Sequence, residues 1–281
     1  MFGKMKIAFI GAGNMAEALI SGFVSTMDCP ETQIVVTNRG NKARLLELRD
    51  KYSVEITSRE ALNFNNIDIL FLTVKPKDID SALQELSTKL TRKTIIMSVV
   101  AGVSTDYIEL ALPLHQPVIR VMPNTSCMLM ESATAICSGT YATGRHLLIA
   151  HEFLKCLGRV FVIDENQMDI FTGVAGSGPA YFYYLMEQME KTCAEEGMDI
   201  ELAREISAQT MLGAARMILE YSASPSRLRA NVTSPNGTTE AGVEELIKYG
   251  AGRAISQAIR GAQKRSMEIT SILQMERSNS N

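Results

Sequence analysis

The chain has 281 residues, of which 46% are apolar and 21% charged, values that exclude wholesale disorder and suit one large domain or two modest ones at roughly 100–200 residues each. With 28 basic and 31 acidic residues the formal net charge is −3, so no basic excess marks nucleic acid or an anionic membrane as the partner. The five cysteines are odd in number and form no CxxC pair, which argues against a disulfide framework or a zinc knuckle and for a reducing cytoplasm.

In chain order, Met5–Ile10 is a short apolar run ending at Gly11 and reads as a buried strand. Met15–Met27 follows with helical spacing, Gln33–Thr37 as a second strand, and Lys42–Tyr52 as a charged amphipathic helix. Ile67–Val74 is a strong strand, Pro76–Leu90 a helix, and Thr94–Val100 and Pro117–Val121 are further strands. Ser132–Cys137 and Val160–Ile163 read as strands around a helix at Arg145–Leu157. This alternation predicts an α/β domain with a doubly wound, mainly parallel sheet over residues 1–164. From 165 to 281 the pattern is all-helical: Ala180–Glu196, Ile200–Tyr221, Gly242–Tyr249 and Arg253–Ile272, with a polar tail at Met275–Asn281 expected to fray. Several of these helices are apolar on more than one face, Ala208–Leu219 among them. Such helices need burial on most sides. A compact bundle packed on the first domain would do this; the reading taken is a dimer with interlocked helical halves. No apolar run reaches the roughly 18–20 residues of a membrane span, and Met1–Ile10 is too short in apolar stretch for a signal peptide.

Gly11-Ala12-Gly13-Asn14-Met15-Ala16 follows the first strand and opens a helix, the setting a dinucleotide-binding GxGxxA requires. Gly11 permits the tight turn, Gly13 the close approach of a pyrophosphate, and Ala16 close helix–strand packing. The second strand runs into Thr37-Asn38-Arg39-Gly40, with no carboxylate for a ribose 2′-hydroxyl. Arg39, with Lys42 behind it, suits a 2′-phosphate, which points to NADPH, with NADH as the alternative. Val74-Lys75-Pro76 and Ala101-Gly102-Val103 follow later strands and are placed to line the same cleft, because ligands of open α/β sheets bind beyond the carboxyl ends of the strands.

In the helical half, Asn231-Val232-Thr233-Ser234-Pro235-Asn236-Gly237-Thr238-Thr239 is rich in hydroxyls and turn formers just before a helix. It can cradle a carboxylate with neutral donors, or serve as a capped loop. His115, His146 and His151 show no metal spacing, and no HExxH, Walker or GxSxG motif occurs; no metal is expected. Between Thr172 and Glu190 there is no lysine, the base that two-domain hydroxyacid dehydrogenases carry early in the helical domain. That favours reduction of an electrophilic carbon over oxidation of an alcohol.

Over essentially its whole length the chain resembles the pyrroline-5-carboxylate reductases. The resemblance rests on Ile10–Ala16, Val74-Lys75-Pro76, Ala101-Gly102-Val103, Arg120-Val121-Met122-Pro123-Asn124-Thr125, Gly176-Ser177-Gly178-Pro179-Ala180-Tyr181 and Val232–Gly242. It implies a Rossmann domain over 1–164 and a helical substrate-binding and dimerisation domain over 165–281. It also implies an intertwined homodimer, assembled into decamers in some members, and reduction of 1-pyrroline-5-carboxylate to L-proline. By the same resemblance Gly11, Ala12, Gly13, Asn14, Met15, Ala16, Asn38, Arg39, Thr73, Val74, Lys75, Pro76, Val100, Ala101 and Gly102 hold the cofactor. Met122, Pro123 and Asn124 lie near the nicotinamide, and Asn231 reaches the cofactor from the helical domain. Ser234, Gly237, Thr238 and Thr239 bind substrate, with the Thr239 hydroxyl at the ring nitrogen. The chain departs from the family pattern at Ser126, where proline is usual, and at Asn236, where glycine is usual. The alternatives are another imine or keto-acid reductase on the same scaffold, or a non-catalytic NADP-binding paralogue; the hydroxyls retained at 234 and 239 speak against the latter.

Overall fold

A computed structural model describes residues 5–26, 31–113 and 115–280; Cys29 and Met27 lie outside them. Among the described residues eight strands form one sheet: β1 (Ile7–Ile10), β2 (Ile34–Thr37), β3 (Glu55–Ile56), β4 (Ile69–Leu72), β5 (Ile95–Ser98), β6 (Val118–Met122), β7 (Ser132–Ser138) and β8 (Gly158–Val162). Their order is β3-β2-β1-β4-β5-β6-β7-β8. All neighbouring pairs are parallel except β6 with β7. The chain reverses direction across the sheet between β1 and β4, where the α/β rule places a ligand crevice.

The helices of this part are α1 (Asn14–Thr26), α2 (Lys42–Tyr52), α3 (Ile79–Leu86), α4 (Thr105–Glu109), α5 (Gly144–Leu154) and α6 (Met168–Phe171). They cover both faces of the sheet. Along β1 and β4, Ile7, Phe9, Ile69 and Phe71 enter one core with Leu19, Phe23 and Phe153, and Ala8, Ile10, Leu70 and Leu72 enter the other with Ile79 and Leu83. The side-chain period of two sends alternate residues to opposite faces, and both faces are apolar, which is why these strands read as unbroken apolar runs. Phe9 stacks on Phe71 with ring centroids 4.9 Å apart, and Phe153 meets Phe23 edge-on at 6.0 Å. Each such fully buried aromatic contributes on the order of 1.5–3 kcal/mol.

The second part consists of α7 (Gly178–Glu195), α8 (Ile200–Glu220), α9 (Pro225–Asn231), α10 (Thr238–Lys248) and α11 (Ala251–Ser280). Helix α7 ends where Gly197 takes φ +88°, and the Asp199 carboxylate caps α8 by accepting from the N–H groups of Glu201 and Leu202. Arg204 returns a two-pronged ion pair to Glu190, at 2.9 and 3.3 Å, which fixes the α7–α8 hairpin.

Contacts group the chain into two compact units, divided at Ser177/Gly178 and again at Arg260/Gly261. The change of sequence character near Asp164 is therefore a different boundary from the division of contacts. The reason is local. Arg120 on β6 is buried and pairs with Glu165 at 3.3 Å and Asp169 at 3.8 Å. Glu165 also accepts from the Thr105 amide at 2.8 Å and from the Thr105 hydroxyl. These bonds hold the start of the helical segment in the first unit. The last turns of α11 belong there too. Leu273 is in the core, Ser266 donates to Asp169 at 2.7 Å, and the Arg277 guanidinium lies over the Tyr107 ring and donates to its carbonyl. The tail expected to fray is helical to Ser280 because Arg277 docks it. The sequence reading also missed β3, α4, α6 and α9, each seven residues or fewer, too short to display a period.

Candidate functional site

At the carboxyl ends of β1, β2 and β4 lies a cleft of about 440 Å³. Gly11, Ala12 and Gly13 line it from β1, Asn38 to Asn41 from β2, and Thr73 to Lys75 from β4. The turn after β1 is pinned on two sides. Gly11 N–H donates to the Thr37 carbonyl at 2.9 Å, and the Thr73 hydroxyl donates to the Gly11 carbonyl at 3.0 Å. Gly11 has φ +119°, and a Cβ there would stand 2.6 Å from the Thr73 carbonyl oxygen. Only glycine satisfies both the conformation and the approach.

A Cβ at Gly13 would meet nothing within 4 Å, so that position borders open space. The first intrahelical bond of α1 runs from Glu17 N–H to the Gly13 carbonyl at 3.0 Å. The N–H groups of Asn14, Met15 and Ala16 therefore have no acceptor within the helix. An open backbone approach, free N–H groups and a helix N-terminus fit a pyrophosphate. Asn14, Met15 and Ala16 do not themselves line the cleft; Ala16 is wholly buried in the core, in keeping with a role in helix–strand packing.

The loop after β2 is a rigid turn. Asn38 accepts from Gly40 N–H at 3.1 Å and donates to the Asn41 carbonyl at 2.7 Å, and Asn41 caps α2 by accepting from Arg44 N–H at 3.0 Å. Arg39 is exposed and reaches across to Asp78 Oδ1 at 3.2 Å and Ser81 Oγ at 3.0 Å. The structure adds lining residues that the sequence reading missed: Arg44, Arg59, Lys77 and Asp78. Arg44 Nε donates to the Ala12 carbonyl at 3.0 Å while its other nitrogens pair with Glu17 and Glu47. Glu17 in turn accepts from Lys51 at 2.8 Å and Tyr52 at 3.0 Å. These donors, Lys51 first and then Arg44, hold the Glu17 carboxyl down at about 2. The phosphate loop is thus buttressed from α2 through one carboxylate.

Val100, Ala101 and Gly102 lie at the end of β5. Gly102 has φ +71°, and a Cβ there would stand 2.5 Å from Ile269 Cγ2 of α11. Its close approach is to that helix. Met122, Pro123 and Asn124 end β6. Met122 packs against Ala135, Cys137 and Met168, and buried Asn124 donates to the Ala175 carbonyl at 3.1 Å. Neither group lines the cleft of the phosphate loop. Burial pushes the Cys137 thiol up to about 12, so it stays protonated and non-nucleophilic. Among the described residues no group of three His, Cys, Asp or Glu side chains is placed to hold a metal ion, and no helix is long and apolar enough to cross a membrane.

Asn231 and the stretch to Thr239 lie in the second unit. Asn231 ends α9, and Thr233 folds back to the Arg229 carbonyl at 2.7 Å. Asn236 has φ +54°, the left-handed conformation that asparagine tolerates, so the turn expected of glycine is formed. Glu240 accepts from Asn236 N–H at 2.6 Å, and α10 begins at Thr238 with its first intrahelical bond from Ala241 N–H to Gly237. The N–H groups of Thr238 and Thr239 have no acceptor within the helix. Ser234, Thr238 and Thr239 are exposed. So are large apolar side chains of this unit: Tyr184 is 61%, Leu219 62% and Tyr249 78% exposed in the single chain. Large apolar side chains left exposed on several helices of one unit suit an association face.

Residues 165–269 match the family model described as pyrroline-5-carboxylate reductase dimerisation, and residues 6–102 match one described as NADP oxidoreductase, coenzyme F420-dependent. The chain is similar to solved pyrroline carboxylate reductases. One from Coxiella burnetii is 31% identical, with a TM-score of 0.85 over 95% of this chain and 99% of that one. The Plasmodium falciparum protein, solved with NADP bound, has the same fold at 24% identity and a TM-score of 0.87, over 96% of this chain and all of that one. A pyrroline-5-carboxylate reductase 1 of Bacillus spizizenii is 53% identical over 96% of this chain and 91% of its own length. Identity at that level across both units, joined to a phosphate loop and a hydroxyl-lined helix start that match the family's motifs, means that the chain belongs to the pyrroline-5-carboxylate reductase family.

Proposed function

We propose that the protein reduces 1-pyrroline-5-carboxylate to L-proline with NADPH, the last step of proline biosynthesis. The observation that carries this is the pairing of a glycine phosphate cradle and a cation-lined ribose end, where the Asp78 carboxylate is paired with Arg39, with full-length similarity to a pyrroline-5-carboxylate reductase. NADPH, when bound, supplies the hydride. The chain's own residues bind and orient. The backbone of Gly11, Ala12 and Gly13 and the start of α1 hold the pyrophosphate, Asn38 and Arg39 the ribose end, and Thr73 to Pro76 and Val100 to Gly102 the remainder. Met122, Pro123 and Asn124 border the nicotinamide, and Asn231 contributes from the helical part.

Ser234, Gly237, Thr238 and Thr239 bind substrate. The free N–H groups at the start of α10 suit its carboxylate, and the Thr239 hydroxyl orients its ring nitrogen. No Asp, Glu, His, Lys or Arg occurs from Asn231 to Thr239, so no side chain there is a strong acid. The proton that makes the imine electrophilic arrives with the substrate or through water. The domain assignment that accompanies this reading is 1–164 for the cofactor and 165–281 for substrate and dimerisation. The exposed apolar face of α7, α8 and α10 supports a homodimer, and a decamer of such dimers is the larger assembly proposed. The site of action proposed is the cytoplasm. Purified protein given pyrroline-5-carboxylate should consume NADPH and form proline in equal amounts; NADPH consumption without proline, or none, overturns the assignment.

A further inference from the structure

Three guanidinium groups line the cleft of the phosphate loop, and they differ in how many donors they have to spare. A guanidinium carries five N–H donors and a permanent charge. Arg44 has all three nitrogens engaged, by Ala12, Glu17 and Glu47. Arg39 has both terminal nitrogens engaged, by Asp78 and Ser81, and its side chain is 60% exposed. Arg59 stands apart. It is only 7% exposed, and its one side-chain hydrogen bond among the described residues is from Nη1 to Glu85 at 3.3 Å. Glu85 is shared with Lys89 at 3.2 Å, so its charge is divided between two cations. Arg59 Nε is shielded from water and has no acceptor.

A buried donor of a charged group left unpaired is costly, so such groups are few in native proteins and each calls for an explanation, a bound ligand among them. Nε and Nη2 share one edge of the guanidinium, whose two parallel N–H groups match two oxygens of a phosphate; Nε is closed to solvent, so a phosphate in the cleft that Arg59 lines reaches this edge by a rotation of the side chain. Its place in the sheet agrees. Arg59 follows β3, the strand beside β2, whose alignment continues as Thr57 N–H donates to the Val36 carbonyl at 3.2 Å. It thus lies on the ribose side of the cleft, next to the loop that carries Arg39.

We propose that Arg59 is a specificity-determining residue for the 2′-phosphate of NADPH, and that it contributes more to the preference than Arg39. This rests on the NADPH reading above. Arg39 must exchange a carboxylate partner for the phosphate, whereas Arg59 gains one for donors that have none. Glu85 tunes the site by competing for the same guanidinium.

The test measures binding rather than turnover. Affinities of the full chain for 2′,5′-ADP and for 5′-AMP are compared by calorimetry in wild type, Arg59→Gln, Arg39→Ala and Glu85→Gln. Wild type should prefer 2′,5′-ADP. Arg59→Gln should cut the ratio of the two affinities by about 10- to 100-fold, the range for a charge-assisted pair, while leaving 5′-AMP binding within about twofold. Arg39→Ala should lower the ratio less. Glu85→Gln should raise it, and this arm decides should Arg59→Gln fail to fold. A wild type without preference refutes the NADPH reading itself. A wild-type preference that survives Arg59→Gln, or one that is unchanged in Glu85→Gln, overturns the role of Arg59 and leaves the NADPH reading standing.

Discussion

Glu17 is the carboxylate through which α2 supports the phosphate loop, and its replacement by Gln has a calculable, pH-dependent effect. It accepts from Lys51 at 2.8 Å, from Arg44, and from Tyr52 at 3.0 Å, and its carboxyl lies at about 2 against an ordinary 4.5. At about 1.36 kcal/mol per pH unit that gap is worth roughly 3.4 kcal/mol. Lys51 is half exposed, so solvent screening leaves about 1–2 kcal/mol. A carboxyl with a lowered folded-state value stabilises above its unfolded value, and that stability is lost as pH falls through the folded one. Glu17→Gln should therefore lower the urea midpoint at pH 7 by an amount equivalent to about 1–2 kcal/mol, and the difference from wild type should shrink to roughly 10–20% of that by pH 3. A difference that stays constant from pH 7 to pH 3, or one under about 0.5 kcal/mol at pH 7, would show that the network is held by something other than this charge.

Gly11→Ala places a Cβ 2.6 Å from the Thr73 carbonyl at φ +119°; strain of about 1–3 kcal/mol should lower Tm by several degrees and weaken NADPH binding at least tenfold, and calorimetry showing both unchanged would contradict the cradle geometry. Thr239→Val keeps the shape and removes the hydroxyl, so kcat/KM for pyrroline-5-carboxylate should fall about 5- to 200-fold, from an unpaired polar partner costing about 1–3 kcal/mol. NADPH affinity should stay within about twofold by fluorescence titration, and full activity would remove Thr239 from the mechanism.

The fold was legible where burial was one-sided or complete. Strands such as Ile69–Leu72, buried at every position, announce themselves as apolar runs, and Lys42–Tyr52 shows helical spacing. Two-residue β3 and five-residue α4 have no period to read. The docking of α11 on the first unit was hidden for a different reason. It depends on contacts such as Arg277 with Tyr107 and Ile269 with Gly102, pairs more than 160 residues apart, which no local pattern encodes. Gly102 reads from sequence as a turn beside a ligand, and its φ of +71° also admits the close approach of Ile269 on α11, which the sequence does not display.

At the candidate site the sequence displays charges, whereas recognition depends on uncommitted donors. Arg39 and Lys42 stand out in the chain because they follow a strand end that lacks a carboxylate, yet Arg39 already has Asp78 and Ser81 as partners. Arg44 is cationic and lines the cleft, but Glu17, Glu47 and the Ala12 carbonyl consume it, so its contribution is to the shape of the loop. Arg59 follows a strand too short to read, and only the fold brings it to the cleft and reveals that its Nε has no acceptor. The same accounting bears on the proposed substrate stretch, which has no cation to offer an anion. Glu240, the nearest carboxylate, is turned back to Asn236 N–H at 2.6 Å. That bond fixes the left-handed residue on which the turn depends. The N–H groups of Thr238 and Thr239 then remain at the positive end of an eleven-residue helix, where an anion gains from the helix dipole as well as from the hydrogen bonds.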